Sequence, residues 1–113
     1  MCSKEVLDQI LTEVSKQAQS SFGDSLEKII LYGSYARGDA NDESDINIMV
    51  LVKWPKEDLK TQRKNWCHIE SDLGLEHGVF VSIRLESSVF FEAWRKVIPL
   101  LRNISEEGIA ISI

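Results

Sequence analysis

Leu31-Tyr-Gly-Ser-Tyr-Ala-Arg-Gly-Asp39, followed after a short acidic loop by Glu43-Ser-Asp-Ile-Asn-Ile-Met-Val50, is the stretch on which the fold of this chain turns. Lys28-Ile-Ile-Leu-Tyr32 is a β-branched apolar run, which predicts a buried strand. The run stops at Gly33-Ser34, where a short helix can begin. Gly33 lets backbone come close to a ligand. The Ser34 hydroxyl and the N–H groups of a helix start can hold a phosphate, and Arg37, one turn on, can pair with a phosphate oxygen. Asp45 to Val52 reads as a second strand, with Asp45 and Asn47 on one side and Ile46 and Ile48 on the other. Hard oxygen ligands beside a phosphate cradle are what magnesium requires. The residues alone therefore suit a metal–nucleotide site, but they suit an ordinary strand–turn–strand better, because Gly-Ser before a helix is common.

Working outward, Val6, Leu7, Ile10, Leu11, Val14 and Ala18 recur at spacings of three and four, which predicts an amphipathic helix from Lys4 to about Ser20, capped by Ser3 and ended by Gly23. Pro55 marks the start of a second helix, with Glu57 and Asp58 in its first turn. Its stripe of Leu59, Gln62, Trp66, Ile69 and Leu73 ends at Gly74. Val79 to Leu85 predicts a third strand, and Ser88 to Lys96 a short helix. Pro99 interrupts the stretch after that helix, and Ile109 to Ile113 suits a short terminal strand. Helices alternating with strands predict an α/β or α+β sheet covered by helices.

Gly33-Ser34, ten intervening residues and then Asp45-Ile46-Asn47 resemble the signature of the nucleotidyltransferase superfamily with the polymerase-β-like fold. The branch it is most similar to is the minimal nucleotidyltransferases, which consist of this core alone. The match is dense over 31–50 and extends more loosely to the third strand and to Arg102-Asn-Ile-Ser-Glu-Glu-Gly-Ile109. The resemblance implies a nucleotidyltransferase fold of class α/β (α+β), with a small mixed β-sheet flanked by helices. It implies ATP or another NTP as ligand, Mg²⁺ as cofactor, and transfer of an AMP-type group with release of pyrophosphate. On this resemblance Asp45 is the main metal ligand and catalytic carboxylate, Asn47 its weak co-ligand, and Gly33, Ser34 and Arg37 hold the phosphates. Many minimal members resemble antitoxins encoded beside a helical partner of the HEPN type, which some of them nucleotidylate.

The chain departs from the family pattern at the carboxylates. The metal motif is Asp-x-Asp, and here the second position is Asn47, which offers a neutral amide oxygen. A third carboxylate is expected at the start of the next strand, where Gly78 falls. Glu76, two residues earlier on the same predicted strand face, is a candidate substitute, and His77 points away. A two-metal mechanism needs one ion to activate the attacking oxygen and another to hold the leaving phosphate. With Asp45 as the sole expected carboxylate, a weak or single ion is implied. Two functions are therefore carried forward: a working nucleotidyltransferase, and a catalytically degenerate antitoxin-like subunit that binds a HEPN-type partner.

The remaining composition narrows the setting. The 113 residues suit one domain, 1–113. A net charge of −5 argues against an extended nucleic-acid footprint. No apolar run reaches the roughly 18 residues of a membrane helix, and the charged N-terminus lacks the apolar core of a signal peptide. Cys2 and Cys67 form no disulfide framework, so reduced thiols and a cytoplasmic location are expected. Homo-oligomerisation stays open. Trp66 is expected in the core, Trp54 as a strand-end plug, and Trp94 with Phe90 and Phe91 in an apolar cluster. His68 and His77 lack paired ligands. Lys53, Lys56, Lys60, Arg63 and Lys64 read as a solvated face, and Asp39, Asp42 and Glu43 as a solvated turn.

Overall fold

The computed structural model describes residues 2–111. Helix α1 (Lys4–Phe22) opens with Ser3, whose Oγ accepts the Val6 N–H at 3.2 Å, and it ends at Gly23. It leads through a single 3₁₀ turn into β1 (Leu26–Tyr32), which starts two residues before the expected strand. A four-residue helix, α2 (Ser34–Arg37), and a polar loop connect to β2 (Ile46–Val52). The crossover after β2 is divided. Helix α3 (Lys56–Leu59) and a 3₁₀ turn precede α4 (Arg63–His77), so one expected helix is two. Then come β3 (Val81–Ser87), α5 (Ser88–Trp94), α6 (Pro99–Glu107) and β4 (Ile109–Ile111). Pro99 opens α6 rather than interrupting a helix, since its fixed φ and missing N–H suit the first turn. The last two residues of the expected terminal strand lie outside the described residues.

The sheet order is β3-β2-β1-β4, with β1 antiparallel to both β2 and β4 and β2 parallel to β3. The parallel pair needs a long crossover, which α3 and α4 provide. Alternation along each strand divides the side chains between two faces. Ile29, Leu31, Ile46, Ile48, Val50 and Val52 pack on the first face with Ile10, Leu11, Val14 and Ala18 of α1 and Trp66 and Leu73 of α4. Full burial of an Ile, Leu or Val contributes about 1.5–3 kcal/mol, so this face dominates the stability. Trp66 is buried there and stacks on Phe22 at 6.1 Å, while Trp54 meets Phe22 edge-on at 5.0 Å and plugs the strand end.

The second face holds Ile30, Met49 and Leu51 under Phe91 of α5 and Leu101 and Ile104 of α6. Tyr32, where β1 finishes, packs partly buried against this cluster. Asn47, opposite Tyr32 and two residues before Met49, lies half-buried at that end of the same face. Trp94 stands at 45% exposure beside Phe90, so of that aromatic cluster Phe91 alone is fully in the core.

The third strand departs most from expectation. Helix α4 runs through Gly74 to His77 and is capped by Gly78 with φ +67, so β3 starts at Val81 instead of Val79. Glu76, His77 and Gly78 thus belong to a helix end. Gly78 is not the position beside the Asp45 motif, and Glu76 shares no strand face with it.

Candidate functional site

The pairing of three strands assembles the site. Tyr32 of β1 lies opposite Asn47 of β2, and Asn47 lies beside Ser82 of β3, forming a transverse row on the second face. Ser82, not Gly78, is therefore in register with the Asp45 motif. Arg84 lies two residues further along and shares this face. Gly33 comes directly after Tyr32 with φ +80. A Cβ at Gly33 would stand 2.9 Å from Asn47 Nδ2, closer than side chains tolerate, so this glycine is what lets the Asn47 amide nest against the turn. Asn47 Nδ2 also donates to the Asp45 carbonyl oxygen at 3.4 Å. The nitrogen of that amide is thereby engaged, and Oδ1 is the atom left for a ligand.

The turn after β1 exposes backbone donors. The Gly33 carbonyl accepts the N–H groups of Ala36 and Arg37, both at 3.1 Å, and the Ser34 carbonyl accepts those of Gly38 and Asp39 at 2.9 and 3.1 Å. The first N–H groups of such a turn have no partner within it. Arg37 is exposed. Its Nε donates to Asp39 Oδ2 at 3.3 Å and its Nη1 to Glu107 Oε2 at 3.4 Å. The hydrogen bond and charge of Asp39, then those of Glu107, push the guanidinium pKa up. Exposed pairs of this kind are weak, so Arg37 can exchange them for a phosphate oxygen at small cost.

The polar loop before β2 bonds to itself. Asn41 N–H donates to Ser44 Oγ at 2.9 Å, and Glu43 N–H donates to Asn41 Oδ1 at 2.9 Å. This turn delivers Asp45 to the mouth of β2 with its carboxylate exposed. On the β1 side, burial raises the Tyr32 hydroxyl pKa above its usual 10.0, and the charge of Arg84 opposes the rise. Tyr32 is thus a neutral hydroxyl at physiological pH.

Among the described residues, no group of three or more His, Cys, Asp or Glu side chains can hold a metal ion. The donors at the motif are one exposed carboxylate, Asp45, and one amide oxygen, on Asn47. That set suits a single Mg²⁺ that keeps most of its ligands from water and a bound triphosphate. It does not suit a pair of ions.

The structure sets Gly33 against Asn47, with Ser34 next in the turn and Asp45 two residues before Asn47, while Arg37 sits at the rim tied to the end of α6. Ser82, Arg84 and Tyr32 escaped the sequence reading. The alternation Val81-Ser-Ile-Arg-Leu85 does mark a polar strand face, but only the β2–β3 register places that face beside Asn47.

The family model described as nucleotidyltransferase domain matches residues 7–108. A Methanocaldococcus jannaschii protein, provisionally named a protein adenylyltransferase, is 32% identical over 107 residues, covering 89% of this chain and 93% of its own length. Protein adenylyltransferase MntA of Thermococcus cleftensis is 30% identical over 98 residues, covering 87% and 96%. A second M. jannaschii relative with the same provisional name reaches 44% identity over 45 residues, 40% of this chain, and the match spans less than half (46%) of that relative's length. Among solved structures, a Sulfolobus solfataricus protein provisionally assigned as a nucleotidyltransferase superposes with TM-score 0.58 at 22% identity, covering 96% of this chain and 87% of that one. A mutant of the toxin–antitoxin complex MntA–HpeT superposes with TM-score 0.51 at 18% identity, covering 89% and 71%. At these identities the two structures attest the fold alone.

Proposed function

Because the chain belongs to the nucleotidyltransferase domain family, we propose that it transfers a nucleotidyl group, AMP from ATP, to a hydroxyl on a partner protein. The acceptor oxygen bonds to the α-phosphorus, the α–β phosphoanhydride bond breaks, pyrophosphate leaves, and the hydroxyl proton passes to water. The observation that carries this reading is the contact of the Gly33 turn with Asn47, which sets a phosphate cradle against Asp45 across adjacent strands. Ser34 and the free N–H groups of the turn hold the β- and γ-phosphates, with Arg37 closing from the rim. Asp45 and Asn47 Oδ1 would hold one Mg²⁺, which supplies charge neutralisation at the α-phosphate when bound. Relatives spanning most of this chain and named protein adenylyltransferases support a protein acceptor. A protein of this fold occurs in a toxin–antitoxin complex, in line with a partner protein, and the HEPN type of that partner is taken from the family resemblance of the sequence. No helix among the described residues is long and apolar enough to cross a membrane, and both cysteines are free thiols. We place the reaction in the cytoplasm, with the whole of 1–113 acting as one domain.

A second reading is favoured by one feature: the row Tyr32–Asn47–Ser82 carries no carboxylate. Under it the chain is an antitoxin-like subunit that binds its partner without transfer. The deciding experiment incubates the chain with α-labelled ATP and the protein encoded beside it, with Mg²⁺ and with Mn²⁺. Label on the partner, lost in Asp45→Asn, is the expected result. Stable binding of the partner without label in either metal would overturn the transferase reading in favour of the second.

A further inference from the structure

Displacement at phosphorus runs in line, with attacking and leaving oxygens on opposite sides. If the reading above holds, and this inference rests on it, the leaving pyrophosphate lies at Gly33 and Ser34 on the β1 side. The acceptor must then arrive across Asn47 from the β3 side. A cavity of about 630 Å³ opens there, over the edge of the sheet. Ser82 and Arg84 of β3 line it, and Lys56, Lys60 and Arg63 reach it from the crossover.

The charges in this cavity are unequally committed. Glu86 is buried at 2% exposure, and its carboxylate lies 3.3 Å from Lys56 Nζ and 3.6 Å from the Arg84 guanidinium. Its negative charge is spent holding those two cations. Lys56 is fixed further by the Phe90 ring, 3.8 Å away. Glu70 Oε2 accepts the Ile83 N–H at 2.7 Å, which closes part of the free edge of β3. An incoming chain therefore cannot simply add a strand at that point. Lys60 and Arg63 are exposed and make no ion pair among the described residues. Among the described residues they are the two cations of the cavity without an ion pair, against one exposed carboxylate in its lining, Glu57.

We propose that this cavity receives an acidic segment of the acceptor protein, with Lys60 and Arg63 pairing with carboxylates that flank the acceptor hydroxyl. A net charge of −5 favours a protein segment over an extended nucleic acid. Residues read from the sequence as a solvated face thus acquire a specific role in Lys60 and Arg63, while Lys53 pairs with Glu27 at 3.7 Å away from the cavity.

The test uses two fluorescein-labelled peptides with one central tyrosine, one flanked on both sides by paired glutamates and the other by paired glutamines. Binding to the chain is followed by fluorescence anisotropy. The acidic peptide is expected to bind and the neutral one to bind at least about fivefold more weakly. The double variant Lys60→Gln/Arg63→Gln should lose that preference, whereas Lys64→Gln, outside the cavity, should keep it. Circular dichroism confirms that the variants fold. Equal binding of the two peptides, no anisotropy change up to about 1 mM, preference retained in the double variant, or tighter binding of a short oligouridylate would each overturn the proposal. Ser34→Ala should weaken labelled-ATP binding and leave the peptide unaffected. Peptide discrimination without any AMP transfer would therefore sink the transferase reading alone.

Discussion

At the scale of single residues the site depends on a missing side chain. Gly33 holds φ +80 and stands where a Cβ would press on Asn47 Nδ2 at 2.9 Å. Gly33→Ala meets both penalties. A positive φ with ψ −154 is a backbone region almost confined to glycine and costs an L-residue roughly 1–3 kcal/mol, and the displaced amide carries Oδ1 away from its ligand. The expected outcome is an unfolding free energy lower by that amount, seen as a lower urea midpoint, and a roughly tenfold loss of ATP affinity, read by unfolding and by ligand titration. Unchanged values of both would show that the contact does not matter. A need for close approach at Gly33 was legible in the sequence, since glycine after a buried strand permits it. The residue that makes the approach was not, because Asn47 lies fourteen positions on and only the antiparallel register brings it across.

At the scale of elements, the two-residue shift of the strand start from Val79 to Val81 decides where a carboxylate would have to stand. The apolar run Val79-Phe-Val suggests a strand from its first residue. In the fold, α4 absorbs the preceding turn, the Val79 N–H returns to the Gly74 carbonyl at 3.2 Å, and pairing with β2 starts at Val81. Local pattern could not show this, because Val79 and Phe80 outside the strand are as apolar as Val81 inside it. The consequence is testable. Asn47→Asp with Ser82→Asp should raise Mg²⁺ affinity and Mg²⁺-dependent transfer, as isothermal titration and label incorporation would report. Asn47→Asp with Gly78→Asp should gain nothing over Asn47→Asp alone. Gly78→Asp should also cost about 1 kcal/mol, because φ is +67 there although the space is open. A gain from the Gly78 pair and none from the Ser82 pair would reverse the assignment of the row.

At the scale of the whole molecule, the cavity at the edge of β3 joins Lys56, Lys60, Arg63 and Arg84 with Glu57, Glu70 and Glu86. Glu86 is the hub. It joins Lys56 at the start of the crossover to Arg84 on the strand where the crossover ends, and its Oε2 accepts the Ser87 N–H at 3.0 Å just before α5. Glu86→Gln keeps the size and one acceptor but removes the buried charge. Both cations are half-exposed and can re-solvate, so the expected loss is about 1–3 kcal/mol, seen as a lower urea midpoint with an unchanged slope. A variant as stable as the parent would show that the cluster serves binding rather than folding. What the sequence by itself determined was the order of helices and strands, the apolar faces that drive them together, and the turn at Gly33-Ser34 with Asp45 and Asn47. These arise from periodicity and local backbone preference, which act over a few neighbouring residues. What only the tertiary structure decided was that Tyr32, Asn47 and Ser82 form one row, that Glu76 and Gly78 stand apart from it, and that Lys60 and Arg63 face a cavity beside Ser82 and Arg84. Those placements depend on strand register and on the path of a crossover, and both are set by how whole faces pack rather than by any segment alone.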